Sequence, residues 1–85
     1  MKKNLLLEYD ESVDAAYISV GEAKWDHHVQ LDDSRGIDYA VDGSVIGIEI
    51  LSPRRMGVHL EGLPFRDELA RLMQSASFRV LESAP

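Results

Sequence analysis

The chain has 85 residues, enough for one domain built on one core. Hydrophobic residues make up 45% and charged residues 28%, the balance of an ordinary globular chain. The formal net charge of −6 argues against non-specific nucleic-acid binding and suits a basic partner, and the absence of cysteine excludes disulfides, zinc–thiolate sites and thiol nucleophiles.

The opening MKKNLLLEYD has two lysines and three leucines and then turns acidic. A secretory core needs about 7–15 apolar residues, and a membrane span about 18. Neither is present, so the expectation is a cytoplasmic protein with no membrane partner.

Leu5 to Tyr9 is short, apolar and aromatic, and reads as a first strand. Asp10 to Asp14 is turn chemistry, because Asp and Ser side chains bond nearby backbone N–H groups. Ala15 to Val20 reads as a second strand, broken by Gly21. Trp25 to Leu31 reads as a third, with Trp25, His27, Val29 and Leu31 on one side. Asp32 to Gly36 is a loop, and Ile37 to Val41 a fourth strand.

Asp42-Gly43 is the strongest local signal. Flanked by strand-like residues, it predicts a two-residue type I′ hairpin, since Gly accepts positive φ at low cost. Paired residue numbers then sum to 85, which sets Tyr39 against Ile46 and Ile37 against Ile48. Ile37, Tyr39, Val41, Ile46, Ile48 and Ile50 form an apolar face. Asp38, Ala40, Val45, Gly47, Glu49 and Leu51 form the opposite, mixed face. Period two alone therefore places Glu49 between two isoleucines without any chemistry.

Residues 52–62 read as a linker, with Val58 to Leu60 a candidate short strand. The one helix spans 63–77. Pro64 suits its first turn, and Phe65, Leu69, Leu72, Met73 and Ala76 form an apolar stripe. Asp67 and Glu68 favour its N-terminal end. Residues 78–85 read as an extended tail or edge strand. The fold class is α+β: a five-stranded antiparallel β-meander with one C-terminal amphipathic helix packed on one face. All of 1–85 forms a single domain, its sheet occupying 5–51.

Five strands spaced about 4.8 Å apart make a sheet wider than one helix, about 10 Å across, can cover. The remainder predicts a homo-oligomer, a dimer being the commonest form.

Two segments carry a family resemblance. LEYDESVDAAYISVG holds Tyr9, Asp10, Asp14, Tyr17 and Ile18, and GIDYAVDGSVIGIEIL holds Asp42, Gly43, Gly47, Ile48, Glu49 and Ile50. In that order the chain resembles the small prokaryotic "domain of unknown function 2283" family over residues 7–51. The resemblance implies a meander domain without an assigned enzyme class. It also implies an antitoxin-like role, since some similar proteins are encoded beside small toxin-like proteins. No DNA-binding ribbon or arm accompanies it here.

The chemistry-bearing residues allow few sites. Asp10, Glu11 and Asp14 fail the calcium-loop pattern, because the required later positions fall on Ala15 and Gly21. Asp10, Asp14, Asp42, Gly43 and Gly47 read as structural turn and strand residues. His27 and His28 point to opposite faces of a regular strand and cannot share an ion. His28 and Asp32 share a face, and Asp38 with Glu49 makes an acid pair, so a small metal-binding protein or carboxylate enzyme is the alternative function. Gly36 and Gly47 mark places where backbone or ligand can approach closely. Glu49 suits a partner or an arginine, with Arg35, Arg54 and Arg55 the candidates. Trp25 reads as core, or else as an exposed interface anchor. No catalytic residue, cofactor or resident metal is expected. The leading expectation is a non-catalytic binding and assembly module with Trp25, Asp38, Glu49, Arg54 and Arg55 as interaction residues and a basic, toxin-like partner.

Overall fold

A computed structural model describes residues 4–81. The fold is α+β. Five strands, β1 (Leu6–Asp10), β2 (Ala15–Ser19), β3 (Trp25–Gln30), β4 (Arg35–Ala40) and β5 (Val45–Leu51), form one antiparallel, meander-like sheet. Its order is β1-β2-β5-β4-β3. Three consecutive strands, β3 to β5, run as a meander, and the β1–β2 hairpin docks on β5. Two helices, α1 (Pro53–Met56) and α2 (Arg66–Ser75), alternate with two short strands, β6 (Val58–His59) and β7 (Val80–Leu81). The pair β6–β7 is parallel.

The β4–β5 register follows the expected sum from Arg35↔Ile50 to Asp38↔Gly47, then shifts, so that Tyr39 faces Val45. The cause is the turn. Gly43 N–H donates to Ala40 O, Ala40 N–H donates to Ser44 O, and of Asp42 and Gly43 only Gly43 has positive φ. That is a three-residue loop closed by a left-handed glycine, not a type I′ turn, which needs positive φ at both central residues. Asp42 stabilises it through its carboxylate, which accepts from Ser44 N and Oγ at 2.9 and 2.7 Å. The extra residue, Ile46, sits unpaired within β5. The expected faces consequently exchange members at this end. Val45 packs against the core with Tyr39, while Val41 stands 73% exposed in the turn.

The core lies on one face of the sheet. Ala16, Ile18, Val20, Ile37, Ile48 and Ile50 come from the strands, and Val58, Leu60, Leu63, Leu69, Met73 and Phe78 come from beyond residue 52. Each such side chain contributes about 1.5–3 kcal/mol on full burial. The residues after 52 thus cover the sheet as a wrapped segment of helix, strand and turn. Helix α2 alone would leave part of this face bare, and Val58, Leu60, Leu63 and Phe78 cover the rest. Among the described residues, nothing covers the opposite face or the β3 edge, whose six residues are all exposed.

Helix α2 starts at Arg66, later than 63, because Phe65 takes a left-handed conformation that a helix cannot continue. The stripe holds: Leu69 and Met73 are fully buried, with Phe65, Leu72 and Ala76 partly so. The helix ends in a Schellman arrangement, Phe78 N–H donating to Met73 O and Ser77 N–H to Gln74 O, with Ser77 left-handed. Phe78 then turns inward to the core. Residues 82–85 of the expected tail lie outside the described residues.

Two polar clamps fasten the wrapped segment. Asp14, left-handed at the end of the β1–β2 turn, accepts from the N–H groups of Arg54 and Arg55 at 3.1 and 3.0 Å. It thereby caps α1 from 40 residues away, while the local Ser52 side chain makes no capping bond. Arg35 donates to the carbonyls of His59, at 3.1 Å, and Glu61, and is held by Asp32 at 2.8 Å.

Candidate functional site

The open face is read most directly across the strands. One row runs Glu8, Tyr17, Glu49, Gly36 and Gln30. The next runs Leu6, Ser19, Gly47, Asp38 and His28. Glycine stands in each row beside a ring. A Cβ on Gly47 would collide with the Tyr17 ring and hydroxyl, and one on Gly36 with the His28 ring. The two rings therefore lie over backbone, where only glycine leaves room.

That placement brings the rings to one carboxylate. Tyr17 donates to Asp38 Oδ2 at 2.7 Å, and His28 Nδ1 meets Asp38 Oδ1 at 2.7 Å. His28 Nε2 lies 2.7 Å from Gln30 Oε1, and Gln30 donates its amide to Asp32 O at 2.6 Å. Burial pushes the Asp38 carboxyl up, but its bonds to Tyr17, His28 and the neighbouring Trp25 indole outweigh burial and hold it below the usual range. Burial, then the Asp38 bond, raises the Tyr17 hydroxyl. The bond to Gln30, then that to Asp38, raises His28 above its ordinary value, against a smaller opposing effect of burial.

Beside the network lies an open depression of about 730 Å³. Ala15, Ala16 and Tyr17 contribute to its floor, with Glu8, Asp10, Glu11 and Glu49 around it. Among the described residues no lysine or arginine lines it. Asp10 is engaged in the turn, accepting from Ser12 N and Oγ at 3.0 and 2.6 Å, which holds its carboxyl low.

The remaining expected residues separate. Trp25 is 57% exposed on this side of the sheet and is not core. Glu49 is half-buried and has no ion pair among the described residues. None of the arginines expected beside it is there: Arg35 pairs with Asp32, Arg55 is exposed on α1, and Arg54 stacks elsewhere. The Arg54 guanidinium lies 5.4 Å from the Tyr9 ring centre and 5.2 Å from that of Phe78, on the covered side. The backbone N–H groups of Arg54 and Arg55 thus belong to the Asp14 clamp, and neither guanidinium pairs with Glu49. Asp32 is drawn down to about 2 by Arg35, and its carboxylate bonds Arg35 and Ser34 rather than His28. Among the described residues no three His, Asp or Glu side chains converge as metal ligands would. Sequence reasoning missed Tyr17 as a member of the site. The strand glycines were its signal, since each marks a ring that needs the space.

Comparison with known proteins gives one match. Residues 6–52 match the family described as a protein of unknown function, DUF2283. No curated protein and no solved structure matches. The match covers more than half of the chain, which belongs to this family. Its end at residue 52 falls where the sheet ends and the wrapped segment begins.

Proposed function

We propose that this DUF2283 member is a non-catalytic protein-binding module whose open sheet face takes a basic segment of another protein, as an antitoxin would take a basic toxin, and that it assembles as a homodimer in the cytoplasm. The observation that carries the reading is the contrast in cover. The apolar face is closed by the chain itself, whereas among the described residues the polar face has no layer over it and gathers Glu8, Asp10, Glu11 and Glu49 around Tyr17. Carboxylates in an open depression, with no cation beside them among the described residues, fit lysine and arginine side chains, and the Tyr17 ring between Glu8 and Glu49 offers a surface for a guanidinium. The net charge of −6 adds long-range steering toward such a partner. Exposed Trp25, beside Asp38, supplies an apolar anchor at the far end of the same side. Homodimerisation would use the bare β3 edge or this face, since the other face is already filled.

The metal-binding or enzymatic alternative is less well supported. As an imidazolium His28 donates from both nitrogens, to Asp38 and Gln30, and has no lone pair for a metal or a substrate proton, and among the described residues no three His, Asp or Glu side chains converge on a metal position.

Titration of an arginine-rich peptide against the full chain tests the reading. Binding that weakens with salt and is lost in Glu8→Lys/Glu49→Lys is the expected result. Equal affinity for an acidic peptide, or no loss in the double variant, contradicts it. Sedimentation equilibrium tests the dimer, and a monomer at high concentration removes that part.

A further inference from the structure

We infer that His28 is a protonation-dependent latch: as an imidazolium it fastens edge strand β3 to β4 and holds the 31–35 loop, and as a neutral imidazole it lets them loosen. The geometry allows one fully bonded state. Nδ1 and Nε2 each lie 2.7 Å from an oxygen, Asp38 Oδ1 and Gln30 Oε1. The Gln30 amide is oriented by its own donation to Asp32 O, so its oxygen faces the ring. Only an imidazolium donates to both. In that state bonds run unbroken from Tyr17 on β2 through Asp38 on β4 to His28 and Gln30 on β3, and on to the loop.

Loss of the proton leaves one ring nitrogen presenting a lone pair to an oxygen. Asp38 keeps the remaining N–H, and the Gln30 link breaks. Turning the Gln30 amide to repair it would forfeit the bond to Asp32 O. Beyond its backbone ladder to β4 and the stacking of His27 on Tyr39, this edge strand buries little, since all six residues of β3 are exposed. The charged groups facing His28, Asp38 from β4 and Glu49 from β5, both favour the cation, while the neutral Tyr17 hydroxyl on β2 meets only Asp38. The sign follows from linkage. A folded-state pKa above the unfolded one stabilises fully below the unfolded value and ceases to do so as pH rises through the folded one. Asp38, shifted down, sets the opposite limit: its contribution is lost as pH falls through its lowered value.

The test is an NMR titration of the full chain, following the His28 ring and the hydrogen exchange of the Leu31 amide, which bonds Arg35 O at 2.8 Å. The expected result is a His28 midpoint above the ordinary value of about 6.5, with Leu31 protection, corrected for base catalysis, falling severalfold over the same interval. His28→Gln removes that step. Gln30→Ala retains the Asp38 pair and lowers the midpoint. A midpoint at or below the ordinary value, or a step that persists in His28→Gln, overturns the latch. Should His28→Gln fail to fold, Gln30→Ala decides, and an unchanged midpoint overturns it.

Discussion

The two faces of this sheet meet the same requirement in different ways. On one, Ile18, Ile48 and Ile50 are excluded from water by a separate layer, the wrapped segment beyond residue 52. On the other, the strands are covered by their own side chains, as Tyr17 and His28 lie flat over Gly47 and Gly36 and are fixed there by Asp38. The first solution is apolar and close-packed, with its titratable groups confined to the clamps at its margin. The second is polar, one side chain thick and titratable, so it leaves a surface for another molecule.

The largest predicted effect breaks the covered face. Leu69 and Met73 are both 0% exposed and meet the sheet core from α2. Leu69→Ala or Met73→Ala is expected to cost about 2–5 kcal/mol by denaturant unfolding, through lost transfer energy and the cavity left behind. An effect below about 1 kcal/mol would mean that the wrapped segment does not close the core.

The clamp that holds this layer comes next. Asp14→Ala removes the acceptor for two α1 N–H groups and for the Tyr9 hydroxyl, at 2.8 Å. The melting temperature should fall, but by less than for Leu69→Ala. The clamp is also acid-sensitive. Burial raises Asp14, but Tyr9 and the Arg54 and Arg55 amides outweigh it and leave the carboxyl low. A depressed folded pKa contributes stability above the unfolded value of about 4, and that contribution is lost as pH falls through the folded one. Asp32, near 2, behaves likewise through Arg35. An acid melt should therefore begin below about pH 4 and be shallower in Asp14→Ala.

These elements differ in how far sequence disclosed them. Alternation located all five strands, and the Phe65–Ala76 stripe located α2, because both signals are local. The clamps were hidden because they are not local: Asp14 serves N–H groups 40 positions on, and Arg35 serves carbonyls 24 and 26 positions on. Asp42-Gly43 was ambiguous for a different reason. The dipeptide supports both two- and three-residue loops, and which one forms shows only in the pairing beyond it, where Ile46 is skipped opposite β4. Trp25 misled because its strand alternates like a half-buried one yet lies at an uncovered edge. Half of the site was readable, in Asp38, Glu49 and the strand glycines. Tyr17 was not, since its link to Asp38 depends on β2 lying beside β5, and that neighbour is a property of the whole sheet.

On the open face the expected effects are smaller. Gly47→Ala drives Tyr17 away and opens its bond to Asp38. Since a side chain rather than backbone must move, the cost should be about 1–2 kcal/mol, toward the low end of overpacking. The Tyr17 ring resonances should shift, and the core resonances of Ile18 and Ile48 should not. A substitution that unsettles both faces together would show that the layers are not separable.

The smallest stability change is expected for the substitution with the largest consequence for binding. Glu49 sits between Tyr17 and Gly36 on central strands, half-buried and without an ion pair among the described residues. Glu49→Lys should alter folding stability by no more than about 0.5 kcal/mol, as for a surface change that removes no packed contact. It reverses a charge at the centre of the open face, so affinity for an arginine-rich peptide should fall and its salt dependence flatten. The pairing of these two results matters more than either one. Retained stability with lost affinity marks a carboxylate whose use lies outside the fold, whereas unfolding of Glu49→Lys would place Glu49 in the sheet's own polar cover beside Asp38, as a structural group with no partner to meet.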